Sequence, residues 1–86
     1  MTAVTILYFA WVRDLVGTSE EPCVFGEEIA TVGDLAAHLA ARGGGYAEAF
    51  TDRSRLRAAV DQVMADLSAP IAGAREIAFF PPVTGG

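Results

Sequence analysis

TVGDLAAHLAARGGG, residues 31–45, decides the fold. Val32, Leu35, Ala36, Leu39 and Ala40 recur at i, i+3, i+4, i+7 and i+8, which draws one apolar stripe along a helix and suits it to lie on a sheet. Thr31 stands where an N-cap belongs, and Asp34 three residues on makes a capping box with a shorter acid. Gly43 marks the end. The small alanines in the stripe allow a close approach to whatever lies beneath.

Upstream, Val4–Phe9 (VTILYF) carries two apolar rows rich in β-branched and aromatic residues, which predicts a central strand buried on both faces. AWVRDLVG, residues 10–17, sets Trp11, Leu15 and Val12 at helical spacing ahead of Gly17, a short helix closing on a glycine. EEPCVFGEE, residues 20–28, reads as a second strand that forms a hairpin with the first across a long connection. Downstream, residues 46–52 fit a helical turn or a loop equally. LRAAVDQV (56–63) reads as a strand, DLSAPIAGA (66–74) as turns around Pro70 and Gly73, and REIAFF (75–80) as the last strand. The order β, β, α, β, β predicts an α+β fold, a mixed sheet curled around one main helix. Residues 1–80 form the domain and residues 81–86 an extended tail, with no repeats or low-complexity tracts.

The composition narrows the function classes. The chain has 86 residues, 52% of them hydrophobic, and a net charge of −5. That is one domain with a modest core, and an acidic one that phosphate backbones repel, so nucleic acid is not the expected partner. No run reaches the ~20 apolar residues that span a bilayer, and the N-terminus lacks a secretory signal, so no membrane role is expected. Cys23 is the only cysteine; it excludes an internal disulfide and fits a reducing, cytoplasmic setting. All six basic residues are arginine, so no lysine amine is offered for isopeptide bonds.

Single residues offer little chemistry. Cys23 sits inside a strand without a basic neighbour in sequence and reads as a small buried hydrophobe. His38, the one histidine, falls opposite the helical stripe and faces solvent, and a metal site lacks a second strong ligand. Trp11 reads as helix packing. Arg53, Arg55 and Arg57 recur at every second position, which on an extended segment lines one face, as edge protection or as a docking patch for an acidic partner. No nucleophile set, catalytic carboxylate pair or phosphate-binding glycine loop stands out, and the glycines at 43–45 follow a helix instead of preceding one.

What remains is the ending FFPPVTGG, residues 79–86. Phe79 and Phe80 point to opposite faces of the last strand, one to anchor and the other to meet a partner. Pro81 and Pro82 fix φ and supply no N–H, so pairing stops and the chain leaves the sheet extended, with a reach of roughly 20 Å beyond Phe80. Gly85 and Gly86 lack a Cβ and can thread a channel closed to other residues. The one reactive group at the tip is the carboxylate of Gly86, a weak electrophile until activated, for instance by adenylation with ATP.

FFPPVTGG resembles the ending of the small subunits of molybdopterin synthase, sulfur carriers with the ubiquitin-like β-grasp fold. LYFAWVRDLVG (7–17) and AAVDQVMADLSAPIAGAREIAFFPP (58–82) are similar to the same family, so the resemblance covers nearly the whole chain. Asp14 replaces the commoner Glu, and Asp61-Gln62 stands where Asn often precedes a polar turn residue. The resemblance implies that an ATP-dependent activating (adenylyltransferase) enzyme adenylates Gly86 and that sulfur then makes it a thiocarboxylate. It implies that the tail enters the large catalytic subunit and gives its sulfur to cyclic pyranopterin monophosphate in molybdenum cofactor biosynthesis. Phe79, Phe80, Pro81, Pro82, Val83, Thr84 and Gly85 would contact the partner, in a heterotetramer with two large subunits. The chain would bind no cofactor or metal and be a co-substrate subunit, not an enzyme. Rival readings are a carrier for thiazole or cysteine synthesis, a ubiquitin-like protein modifier, and an interaction domain whose tail never reacts.

Overall fold

In the computed structural model, residues 2–82 are described. The elements run β1 (Thr2–Tyr8), α1 (Ala10–Val16), β2 (Glu20–Phe25), α2 (Val32–Ala40), α3 (Gly44–Phe50), a 3-10 turn (Arg53–Arg55), β3 (Arg57–Val60), β4 (Val63–Ala65) and β5 (Glu76–Phe80). The five strands form one mixed sheet in the order β2-β1-β5-β3-β4. β1 and β5 run parallel, and the other neighbours are antiparallel.

β1 has neighbours on both sides, as an interior strand should, but only one face is buried. Val4, Ile6 and Tyr8 are sealed in the core, while Thr5 and Leu7 on the other face are half-covered. The expectation of two buried faces is corrected for a simple reason: the helices lie on one side of the sheet. Ile77 and Phe79 of β5 and Ala58 of β3 continue the inward face, and Val32, Leu35, Ala36 and Leu39 of α2 meet it with the stripe read from the sequence.

The capping box of α2 is formed. Thr31 Oγ1 accepts from the Asp34 N–H at 3.1 Å, and Asp34 Oδ2 accepts from the Thr31 N–H at 3.2 Å. A cap of this kind contributes about 1 kcal/mol. Two further N–H groups of the first turn, those of Val32 and Gly33, donate to the Ala69 and Leu67 carbonyls at 3.1 and 2.9 Å, so the 66–74 turns satisfy a helix end that would otherwise want partners. The helix stops at Ala40. Gly43 (φ 78°) closes the following turn through its N–H on the Ala40 carbonyl and then serves as N-cap of α3.

α3 occupies the stretch that the sequence left open. Its Ala49 and Phe50 are buried, and its first turn lies against the end of α1: a Cβ on Gly45 would stand 1.7 Å from the Leu15 carbonyl oxygen. Only glycine fits there. The strand read over residues 56–63 is instead a hairpin, β3 and β4 joined by Asp61 and Gln62 at φ 48° and 71°. Both central residues left-handed is the geometry of a tight two-residue hairpin turn. Asp61 also fastens the start of β5, its carboxylate accepting from the Arg75 and Glu76 N–H groups at 2.9 Å each.

Candidate functional site

β5 lies in the middle of the sheet, so the root of the tail is held from both sides. Tyr8 pairs with Phe79 on the β1 side, and Arg57 pairs with Phe80 on the β3 side. The Phe79 carbonyl also accepts from the Phe9 N–H at 3.1 Å. β5 ends at Phe80, and Pro81 and Pro82 follow without regular structure, as residues with no N–H to give to a ladder must.

The two phenylalanines divide as their alternation requires. Phe79 is 0% exposed and stands edge-on to Phe50, ring centroids 4.9 Å apart, with Phe50 in turn edge-on to Tyr8 at 6.1 Å. It anchors the strand, and the partner contact expected of Phe79 has no exposed ring surface to make it. Phe80 is half-buried on the opposite face, as are Pro81 and Pro82 beyond it. Val83, Thr84, Gly85 and Gly86 lie outside the described residues.

Beside this root lies an apolar surface, with Arg57 at its edge. Phe9, 47% exposed, follows Tyr8 at the end of β1 and so sits at the same end of the sheet as Phe80. The cross-strand pairs Leu7↔Ala78, Ala78↔Ala59 and Ala59↔Met64 set four apolar residues in a row across the helix-free face, because directly opposed residues point the same way. Small side chains in the middle keep the row low, and Met64 at its end is 66% exposed. The face can receive a flat apolar surface beside an emerging chain.

The other residues singled out in the sequence do not join this site. His38 is exposed on α2. Cys23 is buried, and burial pushes its thiol up despite the Arg42 guanidinium, which the sequence places far away but the fold brings to 3.8 Å from Sγ. Arg53, Arg55 and Arg57 do not form the single extended row expected. Asp52 accepts from the Ser54 N–H at 3.2 Å and winds residues 53–55 into a 3-10 turn, so the three arginines do not share one strand face. Arg55 covers the Trp11 ring at 4.7 Å, and Arg57 begins β3.

A polar cluster escaped the sequence reading. Glu21 accepts from Arg42 at 2.5 Å and from the Tyr46 hydroxyl, and Arg42 lies over the Tyr46 ring at 4.8 Å. Burial alone would raise the Glu21 carboxyl, but these two donors outweigh it and hold it below the usual range. The cluster ties β2 to the α2–α3 connection and is remote in sequence from the tail. Among the described residues, no three His, Cys, Asp or Glu side chains gather as metal ligands, and no helix is long and apolar enough to cross a membrane.

Comparison with known proteins adds the family. A profile described as the ThiS family matches residues 6–86. The molybdopterin synthase sulfur carrier subunit of Escherichia coli (strain K12) is 41% identical over 83 residues, covering 96% of this chain and 99% of that protein. That of Haemophilus influenzae is 36% identical over 81 residues, covering 94% and 96%. Among solved structures, SAMP1 of Haloferax volcanii superposes with a TM-score of 0.71 at 24% identity, over 99% of this chain and 100% of that one. A Pyrococcus furiosus protein described as subunit 1 of a molybdopterin converting factor superposes at 0.66 with 20% identity, over 96% and 100%. These likenesses establish the ubiquitin-like β-grasp fold.

Proposed function

We propose, from the premise that this chain belongs to the ThiS family, that it is the sulfur carrier subunit of a molybdopterin synthase. The observation that carries this is the end-to-end likeness to two subunits of that name, one of them 41% identical. The geometry of the tail root supports it. A strand gripped on both sides, a proline pair that ends the ladder, and an apolar face beside them are what a carrier needs in order to project its end into another protein.

In this reading the Gly86 carboxylate is the working group. An ATP-dependent activating enzyme joins a carboxylate oxygen to the α-phosphorus, and pyrophosphate leaves. A sulfur nucleophile then displaces AMP and leaves a thiocarboxylate. Gly85 lets the tip thread, and Pro81 to Thr84 form the stalk. Phe80 and the Leu7–Met64 row dock on the large catalytic subunit, where the sulfur passes to cyclic pyranopterin monophosphate. The chain contributes no catalytic side chain and binds no cofactor of its own. It works in the cytosol, where ATP and a reduced sulfur source are both at hand.

The test is the intact mass of the protein after incubation with ATP, a sulfur donor and the activating enzyme of its host. Exchange of one oxygen for sulfur is expected, and it should vanish when Gly86 is deleted. No shift, with the enzyme proven active on another carrier, would refute the reading in favour of a modifier or an unreactive tail.

A further inference from the structure

The arginines at the root of the tail have a place to act. β3 and β4 part below their last pair, Ala58↔Ala65, and the opening between them is a groove of about 520 Å³ whose lining includes Arg53, Leu56, Arg57, Met64 and Leu67. Leu56, Met64 and Leu67 make much of it apolar. Arg53 Nε is buried without a hydrogen-bond partner. Among the described residues, the ion pairs are Arg13–Asp14 and Arg42–Glu21, so Arg53 and Arg57 pair with no carboxylate. One acid, Asp66, also lines the groove, but its carboxylate accepts from Ser68, as that of nearby Asp52 accepts from Ser54, and neither reaches an arginine. In a protein of net charge −5, this is a local reversal of sign. It borders the tail, because Arg57 pairs directly with Phe80.

We infer that this groove is a docking site for an acidic segment of the large synthase subunit, one that carries carboxylates to Arg53 and Arg57 and lays an apolar side chain between them. The inference rests on the carrier reading, in which the large subunit must surround the root of the tail to swallow its tip. Whatever stands over Phe80 also stands over Arg57. The complementary charge there speeds encounter and fixes the angle at which the tail enters.

The experiment measures binding of the full-length chain to the large subunit of its host, at low and high salt, with the Arg53→Glu/Arg57→Glu double variant and with wild type. The double variant should bind about tenfold more weakly or worse at low salt, chiefly through a slower on-rate. The gap should narrow at high salt, while thermal unfolding of the free chain stays near wild type. Hydrogen exchange should show protection of residues 53–58 and 64–67 on binding. Unchanged or tighter binding by the double variant, or a loss that salt does not touch, would overturn the docking site. So would a loss seen only with the activating enzyme. In those cases wild type still binds the large subunit and takes up sulfur, and the carrier reading stands. Failure of wild type itself to bind the large subunit removes both.

Discussion

Replacing Phe79 and Phe80 by alanine, one at a time, separates anchoring from docking. Phe79 has no exposed surface and packs edge-on to Phe50. Cutting it to alanine removes its burial and leaves a cavity beneath the central strand, a loss of about 3–5 kcal/mol. A domain of this size holds about 4–13 kcal/mol in all at ~0.05–0.15 kcal/mol per residue, so the variant is severely weakened. Phe80 is half-buried on the outer face, and since full burial of such a ring contributes about 1.5–3 kcal/mol, its loss costs about 1 kcal/mol. The difference is ~2–4 kcal/mol. In urea, with a slope of about 1 kcal/mol per molar for a small domain, the two midpoints should lie ~2 M or more apart. Phe80→Ala, still folded, should bind the large subunit more weakly than wild type. Equal midpoints for the two variants would refute the division of labour, and undiminished binding by Phe80→Ala would remove that ring from the interface.

Gly45→Ala should destabilise by about 2 kcal/mol in thermal unfolding: the helical preference for alanine gains ~1 kcal/mol, and the backbone clash with Leu15 loses about 3. A stabilised variant would mean that α1 and α3 do not touch there. Gln62→Gly relieves a left-handed residue in the β3–β4 turn and should raise stability by ~0.5–1 kcal/mol in chemical denaturation, whereas a loss would contradict the turn assignment. The Asp34 and Asp61 carboxyls are depressed by backbone N–H donors, and Asp66 by Ser68. Their stabilisation is complete above the ordinary aspartate value of ~3.9 and is lost as pH falls through the lower folded values. The denaturation midpoint should therefore hold down to about pH 5 and drop below about pH 4, less steeply in Asp61→Asn. Identical acid limbs for Asp61→Asn and wild type would show that this carboxylate is not linked to folding.

The parts legible in the sequence were those whose cause is local. The α2 stripe and its capping box need only residues 31–40, and the alternation that sends Phe79 inward and Phe80 outward needs only its own strand. α3 was obscured because Gly43 caps it and Gly44 and Gly45 begin it, and glycine argues against a helix. Yet Tyr46, Ala49 and Phe50 fall at i, i+3 and i+4, a signal that was there. The β3–β4 hairpin was hidden by an Asp-Gln turn, since glycine is the usual sign of a left-handed pair. The arginine row failed because Asp52 caps a turn two residues on, which a strand reading ignores. Glu21, Arg42 and Tyr46 come from separate elements, and only the fold joins them. The reading of residues 83–86 rests on their chemistry and on the resemblance to a family, and these residues lie outside the described ones.

The place of β5 bears on how the protein is made. The β1–β2 pair and the β3–β4 pair share no ladder except through this strand, and its parallel partner, Thr5 against Glu76, comes from the opposite end of the chain. Such distant pairing forms late and slowly. During synthesis the sheet cannot close until translation has passed Phe80. A chain cut short before that point has no middle to its sheet, and cellular quality control can clear it as an unfolded polypeptide. Native folding thus doubles as a record that the ribosome has reached the threshold of the tail.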